Sequence, residues 1–382
     1  MDPDMDAISD LPTLTYLSMD PLSSTVGSSQ VLAYVEGLAR RGIDVDLVTF
    51  EHRVDFDLRE RLVDLGVRWR PQSFGRHGPV GGLGRVLRAC QSIRGAAMVH
   101  ARSDMAAGSA MLAGIDRWVW DVRSLWVDQK VATGVVQAGS LQERLMRRVE
   151  RRAAVRCSAA ITLTDSVIVE LDRRYGSVVS PKARVITTCT DLDRFQASTM
   201  PPMPLRVLLS GTLNRYYDLQ SMLDLVAELR RRRPVEFIVA SPGVTDWEEE
   251  LSAVDVVRVS AKPHEMRDLL ASCHLGLSVC RDNAGVSLLA AMPTKIGEFL
   301  ATGRPVVVNP GLVDAASLLV QEGCGVTYGQ TSSTGPDEAV DRLEVLLADP
   351  LTPERCRSLA ESHFDLESGV DRLVCIYRSL CE

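Results

Sequence analysis

The stretch ASTMPPMP at 197–204 constrains the fold more than any other, because three prolines among small residues block both helix and sheet. The same rhythm starts on either side of it. Upstream, TLTYLSM (13–19) reads as a strand and PLSSTVGSS (21–29) as a loop. QVLAYVEGLARRG (30–42) then sets Val31, Leu32, Val35, Leu38 and Ala39 on one helical face, with Arg40, Arg41 and Gly42 suited to its C-terminus. IDVDLVTF (43–50) follows as a second strand. Downstream, LRVLLSGTL (205–213), DLQSMLDLVAELRRRR (218–233) and VEFIVAS (235–241) repeat the pattern. A strand, a crossover helix and a strand make a parallel pair, so each half is expected to be a doubly wound, Rossmann-like α/β domain. At 382 residues the chain is too long for one ordinary core, which agrees with two.

The boundaries expected are a disordered lead-in at 1–11, a first domain at 12–198, a second at 205–362 and a last helix at 366–382. With 46% hydrophobic and 24% charged residues there is apolar material for both cores. The net charge of −7 argues against a general nucleic-acid binder, which needs a basic face. No apolar run reaches the length of a membrane span, and the acidic start MDPDMDAISDLP lacks the features of a signal peptide. Nine cysteines without a CxxC pair suit a reducing compartment, so a cytoplasmic location is expected.

In such folds ligands bind beyond the carboxyl ends of strands, and in a two-domain version they bind in the cleft between the domains. Three loops that follow a strand and open a helix are therefore of interest. Gly27-Ser28-Ser29-Gln30 offers either an ordinary N-cap or a close backbone approach to a ligand. In SGTLNRYYDL (210–219), Gly211 permits close approach while Asn214 and Arg215 offer donors, unless Arg215 merely pairs with Asp218. In CRDNAGVSLLAAMPTK (280–295), Pro293 at the first helical position leaves the next N–H groups, from Thr294 onward, free for an anion beside Lys295. Glu298, one turn deeper, can accept two hydrogen bonds from a vicinal diol such as a ribose. The alternative for Lys295 and Glu298 is a simple i,i+3 ion pair.

Other groups weigh less. Gly81-Gly82-Leu83-Gly84 lacks the glycine at 87 that a dinucleotide fingerprint needs, and reads as a flexible loop. Asp44/Asp46, Asp55/Asp57 and Asp191/Asp193 have no supporting ligands in sequence, so no metal site is expected. His100 and, two residues on, Arg102 end a strand, as do Asp121 and Arg123 in WDVRSLW, where a structural ion pair is equally open. The helix LQERLMRRVERRAAVRC (141–157) carries six arginines; with Glu143 and Glu150 among them it reads as a solvated charged face rather than a membrane contact.

Taken in order, GSSQVLAYVEGLARRGIDVDLVTFE, VHARS, WDVRSLWVDQK, ITTCTDLDRF, SGTLNRYYDL and MPTKIGEFLATGRPVVVNPG resemble GT-B glycosyltransferases of the retaining family 4 type, over nearly the whole length. The resemblance implies a nucleotide-diphosphate-sugar donor, UDP being the expected nucleotide, held mainly by the C-terminal domain, with the acceptor held mainly by the N-terminal one. Arg215 and Lys295 would bind the diphosphate, Glu298 the ribose, and Gly27 would sit near the diphosphate. Gly211, Asn214 and Thr294 complete the donor side, with the backbone near Ser287 and Leu288 on the sugar. His100 would lie near the transferred sugar as a catalytic group together with Arg215 and Lys295. Gln30, Arg102, Asp121 and Arg123 fall on the acceptor side. The acceptor would be a glycan, a lipid-linked sugar or a small molecule. Transfer would proceed with retention and without metal or cofactor, and the last helix would cross back onto the first domain. One departure is Ala290, where many members carry the first of two glutamates eight positions apart. It leaves open two other readings, a GT-B nucleotide-sugar epimerase or a catalytically silent sugar-nucleotide-binding partner subunit.

Overall fold

The structure, a computed structural model, describes residues 11–382 apart from Arg215, Pro242, Val244 and Pro263. It divides into two compact units, one of residues up to Ile186 together with Leu366–Glu382, the other Thr187–Asp365. The dividing point therefore precedes the proline-rich 197–204 stretch. That stretch packs within the second unit because fully buried Arg304 binds the Ser198 carbonyl at 2.9 Å and the Thr199 carbonyl at 2.8 Å.

The first unit holds seven parallel strands: β1 (Leu14–Ser18), β2 (Val45–Glu51), β3 (Arg68–Ser73), β4 (Met98–Arg102), β5 (Trp118–Val122), β6 (Ala159–Thr162) and β7 (Ala183–Val185). Their order is β3-β2-β1-β4-β5-β6-β7, so the winding reverses between β1 and β4. Both β1 and β4 are buried along their whole length, as a sheet covered on two faces requires. The second unit has six: β8 (Leu205–Ser210), β9 (Val235–Ala240), β10 (Val257–Val259), β11 (Leu275–Ser278), β12 (Val306–Val308) and β13 (Gly325–Thr327). Their order, β10-β9-β8-β11-β12-β13, reverses between β8 and β11. Its core gathers alternate strand residues, Val207 and Leu209 on β8 with Leu275 and Leu277 on β11, against Leu225 and Leu229 of the helix Leu219–Arg232.

Two elements differ from expectation. Gly81–Gly84 is not a loop but lies in the helix Gly78–Ile93. A Cβ on Gly81 would stand 1.7 Å from the Arg76 carbonyl oxygen, so the close backbone turn, not flexibility, demands glycine there. The edge strand Arg68–Ser73 has no counterpart in the sequence reading. Its Pro71 and its charged residues hide a strand that an edge position tolerates.

The C-terminal helix Leu366–Ser379 belongs to the first unit. Val370 fills the space beside Gly37, where a Cβ would meet its Cγ2 at 2.7 Å, and Arg41 pairs with Asp371 at 2.5 Å and Glu367 at 3.0 Å. Among the described residues no helix is long and apolar enough to cross a membrane.

Candidate active site

In the second unit the chain leaves β8 at Ser210 and turns at Gly211, whose φ of 107° lies where only glycine rests without strain. A Cβ there would stand 3.5 Å from Lys295 Nζ, so the glycine backbone and this ammonium group are neighbours. Lys295 is the second residue of the helix Thr294–Ala301. Pro293 is not the first helical residue but the N-cap, extended at φ −60° and ψ 131°; as proline it offers no side-chain cap to the first turn. The Lys295 ammonium is buried, has no hydrogen-bond partner among the described residues, and lies 4.3 Å from the Tyr217 ring centroid. The i,i+3 ion pair with Glu298 is therefore not formed. A buried cation facing a helix N-terminus and an aromatic face is a site that a bound anion would complete.

Glu298 sits one turn on, half-buried. Burial pushes its carboxyl above the ordinary range, against the pull of Arg194 and Lys295. Asp282–Ala290, just before this helix, form a kinked 3₁₀ segment that turns at Gly285, φ 56°. Ser287 and Leu288 are both buried in it, and the Ser287 hydroxyl donates to the Ala284 carbonyl at 2.7 Å. Ala290, at its end, is 1% exposed. Asn214 is exposed; its Oδ1 accepts from the Tyr216 N–H at 2.9 Å in an Asx turn, and its carbonyl accepts from Trp247 Nε1. Arg215, the residue between, lies outside the described residues. Two supporting residues escaped the sequence reading. Asn309, after β12, accepts from Cys280 N at 2.9 Å and donates to Asp282 at 2.7 Å, which fixes the loop after β11. Tyr217 is the other, and its only signal was an aromatic beside the NR pair.

In the first unit, His100 and Asp121 have no exposed surface. The His100 ring stacks on Tyr16 at 4.2 Å. Its Nε2 donates to Asp121 Oδ2 at 3.1 Å, and its Nδ1 accepts from the Tyr377 hydroxyl at 2.7 Å; the acceptor-only carboxylate dictates this neutral tautomer. Burial lowers the histidine's pKa, with Asp121 only partly opposing it. Burial alone would raise the Asp121 carboxyl, but Arg123 and the His100 hydrogen bond hold it well below the usual range. Arg123 Nε lies 2.7 Å from Asp121 Oδ1, while its two terminal nitrogens have no hydrogen-bond partner among the described residues and the guanidinium stands 5.4 Å from the Tyr34 centroid. Arg102 pairs with Asp20. The next residue, Ser103, is the one described non-glycine residue with positive φ, at 87°.

Gly27 is constrained by its own chain. A Cβ there would stand 1.9 Å from the Pro21 carbonyl oxygen. The cap is supplied by Ser24, which accepts from Gly27 N, while Ser28 and Ser29 donate to the Thr25 carbonyl. A π-turn at Ser28–Leu32 then carries buried Gln30. The three Asp-x-Asp pairs are spent structurally: Asp46 holds Arg70, Asp55 caps a helix, and Asp191 accepts from the Asp193 and Arg194 N–H groups.

Residues 27–194 match the family model described as Glycosyltransferase Family 4. The whole chain superimposes on sucrose-phosphate synthase from Thermosynechococcus elongatus with a TM-score of 0.69 at 16% identity, covering 97% of this chain and 99% of that one. It also matches Anabaena HepE in complex with UDP and glucose (TM-score 0.68, 15% identity, 95% and 98% covered). For WaaG, a glycosyltransferase involved in lipopolysaccharide biosynthesis, the TM-score is 0.66 at 15% identity, with 95% and 99% covered. The chain has the GT-B fold, and its residues 27–194 match a glycosyltransferase family. None of the curated proteins matches it in sequence. At these identities the solved structures establish the fold, and the family match lies within the first unit.

Proposed function

We propose that this chain is a glycosyltransferase that takes its sugar from a nucleotide diphosphate, UDP first among the candidates, and that the second unit binds the donor. The observation that carries this is the Lys295 ammonium, buried without a hydrogen-bond partner among the described residues, beside Gly211 and the uncapped helix N-terminus. HepE, alike in fold, is solved with UDP-glucose. Lys295, the Thr294 N–H and the Gly211 backbone would hold the diphosphate, with Arg215 and Asn214 beside it. Glu298 would accept hydrogen bonds from two ribose hydroxyls, and the Ser287–Leu288 backbone would meet the sugar. As the anomeric C–O bond breaks, negative charge grows on the leaving diphosphate, and a preorganised cation and helix dipole stabilise it without a metal. The acceptor hydroxyl would enter on the same face and pass its proton to the departing phosphate, giving retention without a protein nucleophile. On the acceptor side, Arg123's two unpaired terminal nitrogens would be donors, with Gln30 and Arg102 as the other candidate contacts. Asp121, tied to His100, would hold Arg123 in place, and His100 would lie beneath the transferred sugar.

Ala290 favours a second reading, a sugar-nucleotide-binding subunit without turnover, because a buried methyl stands where a sugar-binding carboxylate would be. One experiment separates them: turnover of UDP-, GDP- and TDP-sugars with an acceptor panel, in EDTA and with added magnesium, with the product anomer read by NMR. Retained configuration and indifference to EDTA support the proposal. Tight donor binding without turnover on any acceptor supports the silent reading. Isomerised donor in the absence of acceptor would point to an epimerase. Glu298→Ala should lose donor binding with its fold intact, and wild-type kinetics in that variant would remove the ribose role.

A further inference from the structure

The helix Leu141–Arg156 sorts its charges onto two faces. Its glutamates turn inward. Glu150 is 2% exposed and accepts from Arg174 Nη1 at 3.2 Å and from the Tyr175 hydroxyl at 2.5 Å. Arg147 joins the same buried network, reaching Asp128 at 2.7 Å, Glu150 at 3.4 Å and Glu143 at 3.6 Å. The other five arginines, at 144, 148, 151, 152 and 156, are exposed and form no ion pair among the described residues. Between them stand Leu141, 82% exposed, Leu145, 61%, and Val155, 53%.

At 3.6 residues per turn, these eight side chains fill one arc of about 140°, and neither glutamate falls inside it. The mixed, solvated face expected from the sequence is thus not what folds. The acids that would have balanced it are used beneath the helix, and the outward surface along this arc is arginine, leucine and valine, on a chain of net charge −7. A face kept for solubility would gain nothing from two exposed leucines and would not concentrate one sign.

We propose that this face docks on a bilayer surface bearing anionic headgroups. Arginine side chains lay their stems along the apolar residues and reach phosphate with their guanidinium groups. Leu141 and Leu145 lie at the height of those stems, where they can enter the boundary between headgroups and acyl chains. The apolar residues are what favour a membrane over a nucleic acid, which would use the arginines and not the leucines. Continuity of the layer agrees. The helix Asp104–Ala113 packs against both this helix and Gly78–Ile93, and adds Leu112, 66% exposed, while Gly78–Ile93 adds Val80 at 81% and Leu83 at 61%. The inference rests on the first unit alone and does not depend on the donor-site reading.

The test is co-sedimentation of the full chain with vesicles of phosphatidylcholine alone and of phosphatidylcholine mixed with phosphatidylglycerol. Binding should appear only with the anionic lipid and weaken as salt rises. R148E/R151E/R152E should bind roughly tenfold or more weakly. L141S/L145S, with all charges kept, should also lose affinity, and all variants should keep the wild-type circular dichroism spectrum and Tm, because every changed side chain is exposed. Wild type remaining in the supernatant at low salt, or a charge-reversed variant that binds as well as wild type, would overturn the proposal. So would binding to duplex DNA that exceeds vesicle binding and ignores L141S/L145S, which would make the face a polyanion site.

Discussion

The two units place charge at the same point of the same topology and treat it in opposite ways. In the first, His100 on β4 and Asp121 on β5 lie beside the β1–β4 reversal, and in the second, Gly211 follows β8 beside the β8–β11 reversal. Arg123 has its counter-ion inside the protein, at 2.7 Å, and Asp121 is further tied to His100 and through it to Tyr377 of the C-terminal helix. Lys295 forms no ion pair among the described residues; it lies against the Tyr217 ring, with the Glu298 carboxyl interacting at longer range. A buried charge whose partner is built in holds the fold together. One without such a partner carries a desolvation cost that the donor proposed above would offset.

Removing the first unit's charge should therefore cost stability, whatever it also does to acceptor binding, and removing the second's should act on chemistry alone. Arg123→Ala strands the Asp121 carboxylate in a site with no exposed surface, and should cost about 3–5 kcal/mol in denaturant unfolding. A loss below about 1 kcal/mol would show that the first cluster is not the closed network described. Lys295→Met should do the reverse: kcat/KM falls on the order of 10²–10³-fold, while Tm is unchanged or rises. A large drop in its Tm would make Lys295 structural and erase the contrast.

Smaller effects sharpen it. Gly211→Ala forces a residue with a Cβ to φ 107° and should cost about 1–3 kcal/mol, together with weaker nucleotide binding. Full stability with normal binding would mean that the β8 turn relaxes freely. The smallest effect is on pH dependence. His100 is held neutral by burial, so its folded pKa lies below the ordinary 6.5. The unfolded chain then binds a proton that the folded one refuses, and stability contributed by His100 is present above about 6.5 and lost as pH falls below it. Comparing the pH profiles of Tm for wild type and His100→Gln isolates this group. The wild type should lose more between neutral and mildly acidic pH, and parallel profiles would show that His100 does not titrate against the fold.

Much of this was legible in the residues. The doubly wound halves followed from strand and helix periodicity, and Lys295 and Glu298 from their place after Pro293. What stayed hidden depended on contacts distant in sequence. The 197–204 prolines read as a linker because Arg304, a hundred residues on, gives no local sign of binding that backbone. Glycines at 81, 82 and 84 read as loop because the carbonyl that packs on Gly81 belongs to tertiary structure. His100 stood out because it ends a strand, but nothing nearby announces that Tyr377, from the last helix, bonds its ring. Composition counted Glu143 and Glu150 against the arginines of their helix, but only the fold shows which way each points.

The central claim, that Lys295 is a cation left without a counter-ion so that a nucleotide diphosphate can supply one, is tested most directly by the thermal shift that UDP produces in wild type and in Lys295→Met. The account predicts a rise in Tm for the wild type that grows with UDP concentration, and little or no rise for a variant whose ligand-free Tm is at least as high. Equal shifts in both proteins, or no shift in either with any nucleoside diphosphate, would contradict it.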